Sequence, residues 1–158
     1  MVVTFNWRNA AFAALIGIIS FGAAGAYAGE CPADQVKTDA TQPGATANKG
    51  ATDTVLSMID LSKEPAAIKD RQFRIRRLEV KAGGEIAWHS HADRPALIYI
   101  ISGEMTEYAS NCAVPIVHKK GDVAKETHET SHWWKNTGKR KATLISVDLL
   151  KDPADTNM

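Results

Sequence analysis

Apolar residues along the second half of the chain fall into short runs and alternations, each closed by a polar or glycine-containing turn. Gln72 to Lys81 (QFRIRRLEVK) is rich in β-branched and apolar positions and stops at Ala82-Gly83-Gly84. Glu85 to His91 follows as a second strand, and Ala96 to Ile101 (ALIYII) is a nearly continuous apolar run closed by Ser102-Gly103. Glu104 to Ser110 alternates, and Cys112 to Lys119 (CAVPIVHK) resumes after a short break. Beyond the turn Lys120-Gly121-Asp122 lie a short strand, Val123 to Glu126, and a loop reaching Thr130. His132 to Asn136, the turn Thr137-Gly138-Lys139 and the strongly apolar Ala142 to Leu150 complete the series. Many short strands with glycine turns and almost no helix predict an all-β chain, an antiparallel sandwich or barrel. Upstream, Val55 to Leu61 reads as the first strand and Ser62 to Asp70 as a loop interrupted by Pro65. Residues 33–54 are polar, rich in Ala, Thr and Gly, and without periodicity, which predicts a flexible tail.

The amino-terminal stretch follows a different pattern. Arg8 gives a positive flank, Ala11 to Phe21 (AFAALIGIISF) is an apolar run, and Ala26-Tyr27-Ala28 places small residues where a signal peptidase cuts. An uncleaved anchor is the alternative; the glycine and alanine content and the A-x-A ending favour a cleaved signal peptide over residues 1–28, with no membrane association afterwards. Glu30 before Cys31 is wrong for a lipoprotein signal, and there is no twin arginine. A periplasmic or secreted location follows. In such a compartment Cys31 and Cys112 are expected to form a disulfide, which would close a loop of roughly 80 residues and constrain the unfolded chain by about 4.5 kcal/mol in the chain-entropy model. Two free thiols, or Cys112 as a metal ligand, are the competing readings.

Composition narrows the partners. The 158 residues are 44% hydrophobic and 23% charged with a formal net charge of +1, enough for one domain with a real core. Removal of Arg8 with the signal brings the side-chain balance to about zero, so no basic stripe is expected for nucleic acid.

Chemistry concentrates at Trp88-His89-Ser90-His91 and at His132. Two histidines at i and i+2 on a strand share a face, and a third on a neighbouring strand would let three imidazoles converge on a metal.

These residues resemble the cupins. Gly83 to His89 has the G-x5-H spacing of the first cupin motif, His91 completes H-x-H, and Gly103 ends the motif. Gly121 opens the second motif and His132-x3-Asn136 closes it. The resemblance covers about Arg71 to Leu150 and implies a jelly-roll β-barrel with a metal in its mouth. The implied organisation is signal peptide 1–28, tail 29–54 and cupin domain 55–152. Two departures stand out: the motif glutamate falls at Ala96 (or Pro95), and the second motif's Pro and Gly positions hold Thr127 and Glu129. Carried over residue by residue, His89, His91 and His132 remain as metal ligands. Three imidazoles suit Fe(II) first, with Zn, Cu, Ni or Mn as alternatives, and leave positions open for substrate.

Other residues carry two readings each. His128, four before His132, could fill the vacant position or act as a base, with solvation the simpler account. Arg94 could meet an anion at the rim or be a surface charge. Tyr99 could line the pocket, although core packing suits it better, while Trp134 shares the phase of His132 and could line the pocket. Trp88 and Trp133 are expected to pack, His118 to lie at the surface, and Glu126 and Glu129 to be solvated. Arg74, Arg76 and Arg77 are expected on a solvated strand face. The sequence thus predicts an exported three-histidine metalloprotein acting on a small anionic or oxygenated molecule, with dioxygenase-like chemistry the most natural and isomerisation or hydrolysis behind it. A non-enzymatic protein that binds or senses a small ligand is the second reading. A homodimer is left open.

Overall fold

Burial of alternate residues runs through most strands after the first in the computed structural model, which describes residues 29–40 and 44–151. The expected signal peptide lies outside the described residues. Eight strands follow in order: β1 (Lys49–Asp60), β2 (Gln72–Ser90), β3 (Ala96–Ser102), β4 (Glu104–Ala109), β5 (Ile116–Lys119), β6 (Val123–Glu126), β7 (Ser131–Lys135) and β8 (Ala142–Leu150). They pair antiparallel in the order β5-β4-β7-β2-β8-β3-β6, with β1 on the free edge of β2. The result is an all-β, nearly closed barrel.

Alternation explains the interior. On β3, Ala96, Ile98 and Ile100 are buried, while Leu97, Tyr99 and Ile101 face outward; on β8, Ala142 and Leu144 are buried. Ile98, Ile100, Ala142 and Leu144 form one apolar core with Leu78, Val80, Ile86, Met105, Ala124 and Trp134. Each fully buried Leu or Ile contributes about 1.5–3 kcal/mol relative to exposure.

Two expectations are corrected. β2 is one strand and does not break at Ala82-Gly83-Gly84; Gly83 adopts φ 71°, which bends the strand so that its first half pairs with β8 and its second with β7. β1 begins at Lys49, inside the predicted tail, and is extended by pairing with β2 rather than by a periodicity of its own. The segment from Cys31 to residue 40 is also ordered against the barrel. A Cys31–Cys112 disulfide, a bridge between Val36 and Cys112, and the bonds Lys37 N–H to Asn111 O (3.1 Å) and Ala40 N–H to Ser110 O (2.8 Å) hold it there.

Candidate metal centre

β2 carries its first half in one phase and its histidines in the other. Arg74, Arg76, Leu78 and Val80 are buried, and Gly84 and Ile86 keep that phase. Between the pairs Ile86↔Trp134 and His89↔His132 the register slips by one residue, a β-bulge at Ala87–Trp88. The extra residue turns the odd positions inward, so His89 and His91 are both buried. β7 supplies His132 directly opposite His89.

The three Nε2 atoms form a triangle 3.1 Å on each side. Each Nδ1 meets an acceptor: the Ala87 carbonyl for His89 (2.9 Å), the Arg94 carbonyl for His91 (2.7 Å) and Glu107 Oε1 for His132 (2.7 Å). An acceptor at Nδ1 requires the proton there, so each ring turns a bare Nε2 lone pair toward the centre. Lone pairs cannot satisfy one another; they suit an electrophile among them. Metal–imidazole bonds of about 2.1 Å at right angles separate neighbouring nitrogens by about 3.0 Å, so the donor set fits a metal ion. Burial, reinforced by the neighbouring His132, lowers the pKa of His89 to about 2 and that of His91 to about 3. Both rings are therefore neutral ligands at physiological pH.

Behind His132 lies an acid–histidine cluster that the sequence did not reveal. Glu107 of β4 accepts from His132 through Oε1 and from His118 Nε2 through Oε2 (2.8 Å). Burial pushes Glu107 upward, but these two hydrogen bonds outweigh it and hold its pKa at about 2, leaving an anion. A carboxylate in this position fixes the tautomer of a ligating histidine and raises its basicity. Glu126 Oε2 approaches His132 Nδ1 at 3.3 Å without hydrogen-bonding it, and neither Glu126 oxygen has a hydrogen-bond partner. Burial, and then the charge of Glu107, raise its pKa well above the usual carboxylate range. Glu126 stands directly across from Ala96, the position of the absent motif glutamate.

The remaining predicted residues are placed variously. Trp134 is buried with Nε1 3.1 Å from His132 Nδ1, and it stacks on His118 at 4.5 Å. Arg94 is buried, its carbonyl orienting His91 and its guanidinium 3.5 Å from Asp148. Tyr99 points outward and is 46% exposed, which corrects the core packing expected for it, and His128 has a 77% exposed side chain, so neither is brought to the triangle. Trp133 stacks on Tyr108, and Trp88 is half-buried. Three surface expectations are corrected: His118 is fully enclosed, Glu126 is buried on β6, and Arg74 and Arg76 are buried against Asp148. The cause is strand parity. Glu107 shares a face with Met105 and Ala109, and Glu126 with Ala124, which is the signal that could have found them. Beside His89 and His91 a void of about 10 Å³, walled also by Arg76, Ile86, Trp134 and Ser146, has room for about one water.

A small antiparallel barrel with three convergent imidazoles defines the class. Residues 76–148 match the cupin domain family, and the chain carries a small cupin-type domain. Among solved structures, a conserved double-stranded β-helix protein from Klebsiella pneumoniae subsp. pneumoniae is 19% identical with a TM-score of 0.53, over 72% of this chain and 85% of that one. KdgF from Halomonas sp. is 12% identical with a TM-score of 0.52, over 66% and 82%. Oxalate oxidase in complex with the substrate analogue glycolate is 18% identical with a TM-score of 0.52, over 75% of this chain and 60% of that one. At these identities the likeness is one of fold. Curated protein sequences gave no match.

Proposed function

We propose that this cupin is an exported metalloprotein in which His89, His91 and His132 hold one divalent transition metal, iron ahead of zinc, copper, nickel or manganese. Its substrate is a small anionic or oxygenated molecule, and the chemistry is oxygenase-like. The observation that carries this reading is the 3.1 Å triangle of Nε2 atoms whose Nδ1 partners all fix the same tautomer. Bound there, such a metal supplies a Lewis-acidic, redox-capable centre with positions to spare. The chain's own part is to orient: Ala87 and Arg94 carbonyls and Glu107 hold the Nδ1 protons. The disulfide supports export, because such bonds persist in oxidising compartments.

Ala96 at the position of the motif glutamate favours the second reading, a protein that binds or senses a ligand without turning it over. Metal analysis of protein purified without an affinity tag, followed by oxygen uptake with oxalate, glycolate, phenols and thiols, separates the two. One transition metal per chain and substrate-dependent oxygen uptake are expected. Absence of stoichiometric metal, with the same thermal response to added Fe or Zn in wild type and His132→Ala, sinks the metal reading. Metal without turnover leaves the binding protein. The outward residues Phe73, Leu97 and Tyr99 are 43%, 53% and 46% exposed, an apolar face that supports a homodimer testable by light scattering.

A further inference from the structure

The barrel's strand path ends in β5 and β6, which share no ladder among the described residues. Gly29, Glu30 and Cys31 lie along this seam, held by the Cys31–Cys112 disulfide and by a Glu30–Lys125 ion pair of 2.6 Å. With Glu107, Lys125 and Thr130 they line a cavity of about 90 Å³. Gly29 is buried at φ +85°, and a Cβ there would stand 2.9 Å from His118 Nδ1 and 3.3 Å from Asp122 Cβ. Only glycine fits that conformation and that gap.

Three polar atoms around the seam have no hydrogen-bond partner: His118 Nδ1, on a fully buried ring, and both oxygens of Glu126. Because His118 Nε2 donates to Glu107, its Nδ1 presents a lone pair on the side of Gly29. The His118 lone pair is therefore left without a donor. Among the described residues lining the cavity the cation is Lys125, whose side chain is 61% exposed and engaged by Glu30. The expected signal-peptidase cut follows Ala28, and hydrolysis of the Ala28–Gly29 peptide bond would convert the Gly29 nitrogen into an α-ammonium group with three N–H donors.

We infer that processing completes this site: the chain is cut before Gly29, and the new α-amino group stays in the seam cavity, donates to His118 Nδ1 and faces the Glu107 carboxylate that lines the same cavity. A leader is then more than an address, because its removal creates a buried functional group. This inference rests on the export reading and is independent of the metal.

The full-length chain, exported from a bacterial host, tests it. Intact mass should show a first residue of Gly29. In the folded protein an amine-acylating reagent at neutral pH should label the α-amino group about tenfold or more slowly than in unfolded protein, as for any group reached through rare openings. A version carrying one extra serine ahead of Gly29 should melt about 4 °C or more lower, and this loss should vanish in a His118→Phe background. A first residue other than Gly29 overturns the processing step. A start at Gly29 with labelling as fast as in unfolded protein overturns the cavity role. A serine penalty that persists in His118→Phe is steric and overturns the pairing. Should His118→Phe fail to fold, the labelling rate of the unaltered chain decides.

Discussion

Two polar clusters are buried in this barrel, and they are built on opposite principles. At Asp148 three arginines meet one carboxylate: Arg74 binds it through Nε (3.0 Å) and an Nη (2.7 Å), Arg76 reaches it at 3.1 Å and Arg94 at 3.5 Å. Asp53 takes another bond from Arg76 at 2.5 Å, and Ser146 a further one at 3.2 Å. Opposite charges meet, and the hydrogen bonds hold the strands β2 and β8 in register. At His132 the arrangement is the reverse. Three neutral imidazoles aim lone pairs at one another, and a carboxyl group sits behind them without a donor. Both clusters cost desolvation, but only the first offsets it from within. A cluster that its own residues leave incomplete is the one that points to a ligand.

Acid should separate the two most strongly. The folded pKa values of His89 and His91 lie below the unfolded value of 6.5, so the unfolded chain takes up protons that the native chain refuses. Stability of metal-free protein is therefore fully present above about pH 6.5 and falls as pH drops toward 3, by roughly 1.4 kcal/mol per pH unit for each ring. Urea titrations from pH 7 to 4 read this; a flat profile would show that the rings are not held neutral by the fold. Asp148→Asn attacks the other cluster. It removes the charge facing three guanidiniums and should cost about 3–5 kcal/mol in urea unfolding, and a loss under about 1 kcal/mol would show that the arginines find other partners.

Glu107→Gln sharpens the contrast. The side chain keeps its shape but loses the charged acceptor at His132 Nδ1, and metal affinity should fall by about 10–100-fold, measurable by competition with a chromophoric chelator. Unchanged affinity would mean that Glu107 serves packing alone. The smallest effect is expected at His128, which is exposed: His128→Ala should move stability by less than about 0.5 kcal/mol and leave metal affinity as it was. A clear drop in affinity would restore it to the site.

Strand existence and type were legible wherever one face is apolar. β8 matches its predicted span, Ala142 to Leu150, because buried and half-buried residues alternate along all of it. The start of β1 was not legible, since most of its side chains are exposed and its pairing with β2, not a pattern of its own, makes it a strand. Polar residues on inward positions were misread for a related reason. His118, Glu126, Arg74 and Arg76 look like a solvated face until the barrel closes over them. Glu107 went unnoticed because its partners come from β5 and β7, which sequence spacing does not bring together.

The bulge at Ala87–Trp88 makes the centre depend on a count. β2 enters the barrel with even positions inward and leaves with odd ones inward, and one surplus residue makes the change. It acts as a frameshift in side-chain space. Were β2 to keep both residues and pair with β7 in an unbroken ladder, Trp88 would stand opposite His132 and both imidazoles would swing toward solvent. A relative that lacked one of the two would need no bulge, and its histidines would already fall in phase with Ile86 and opposite His132.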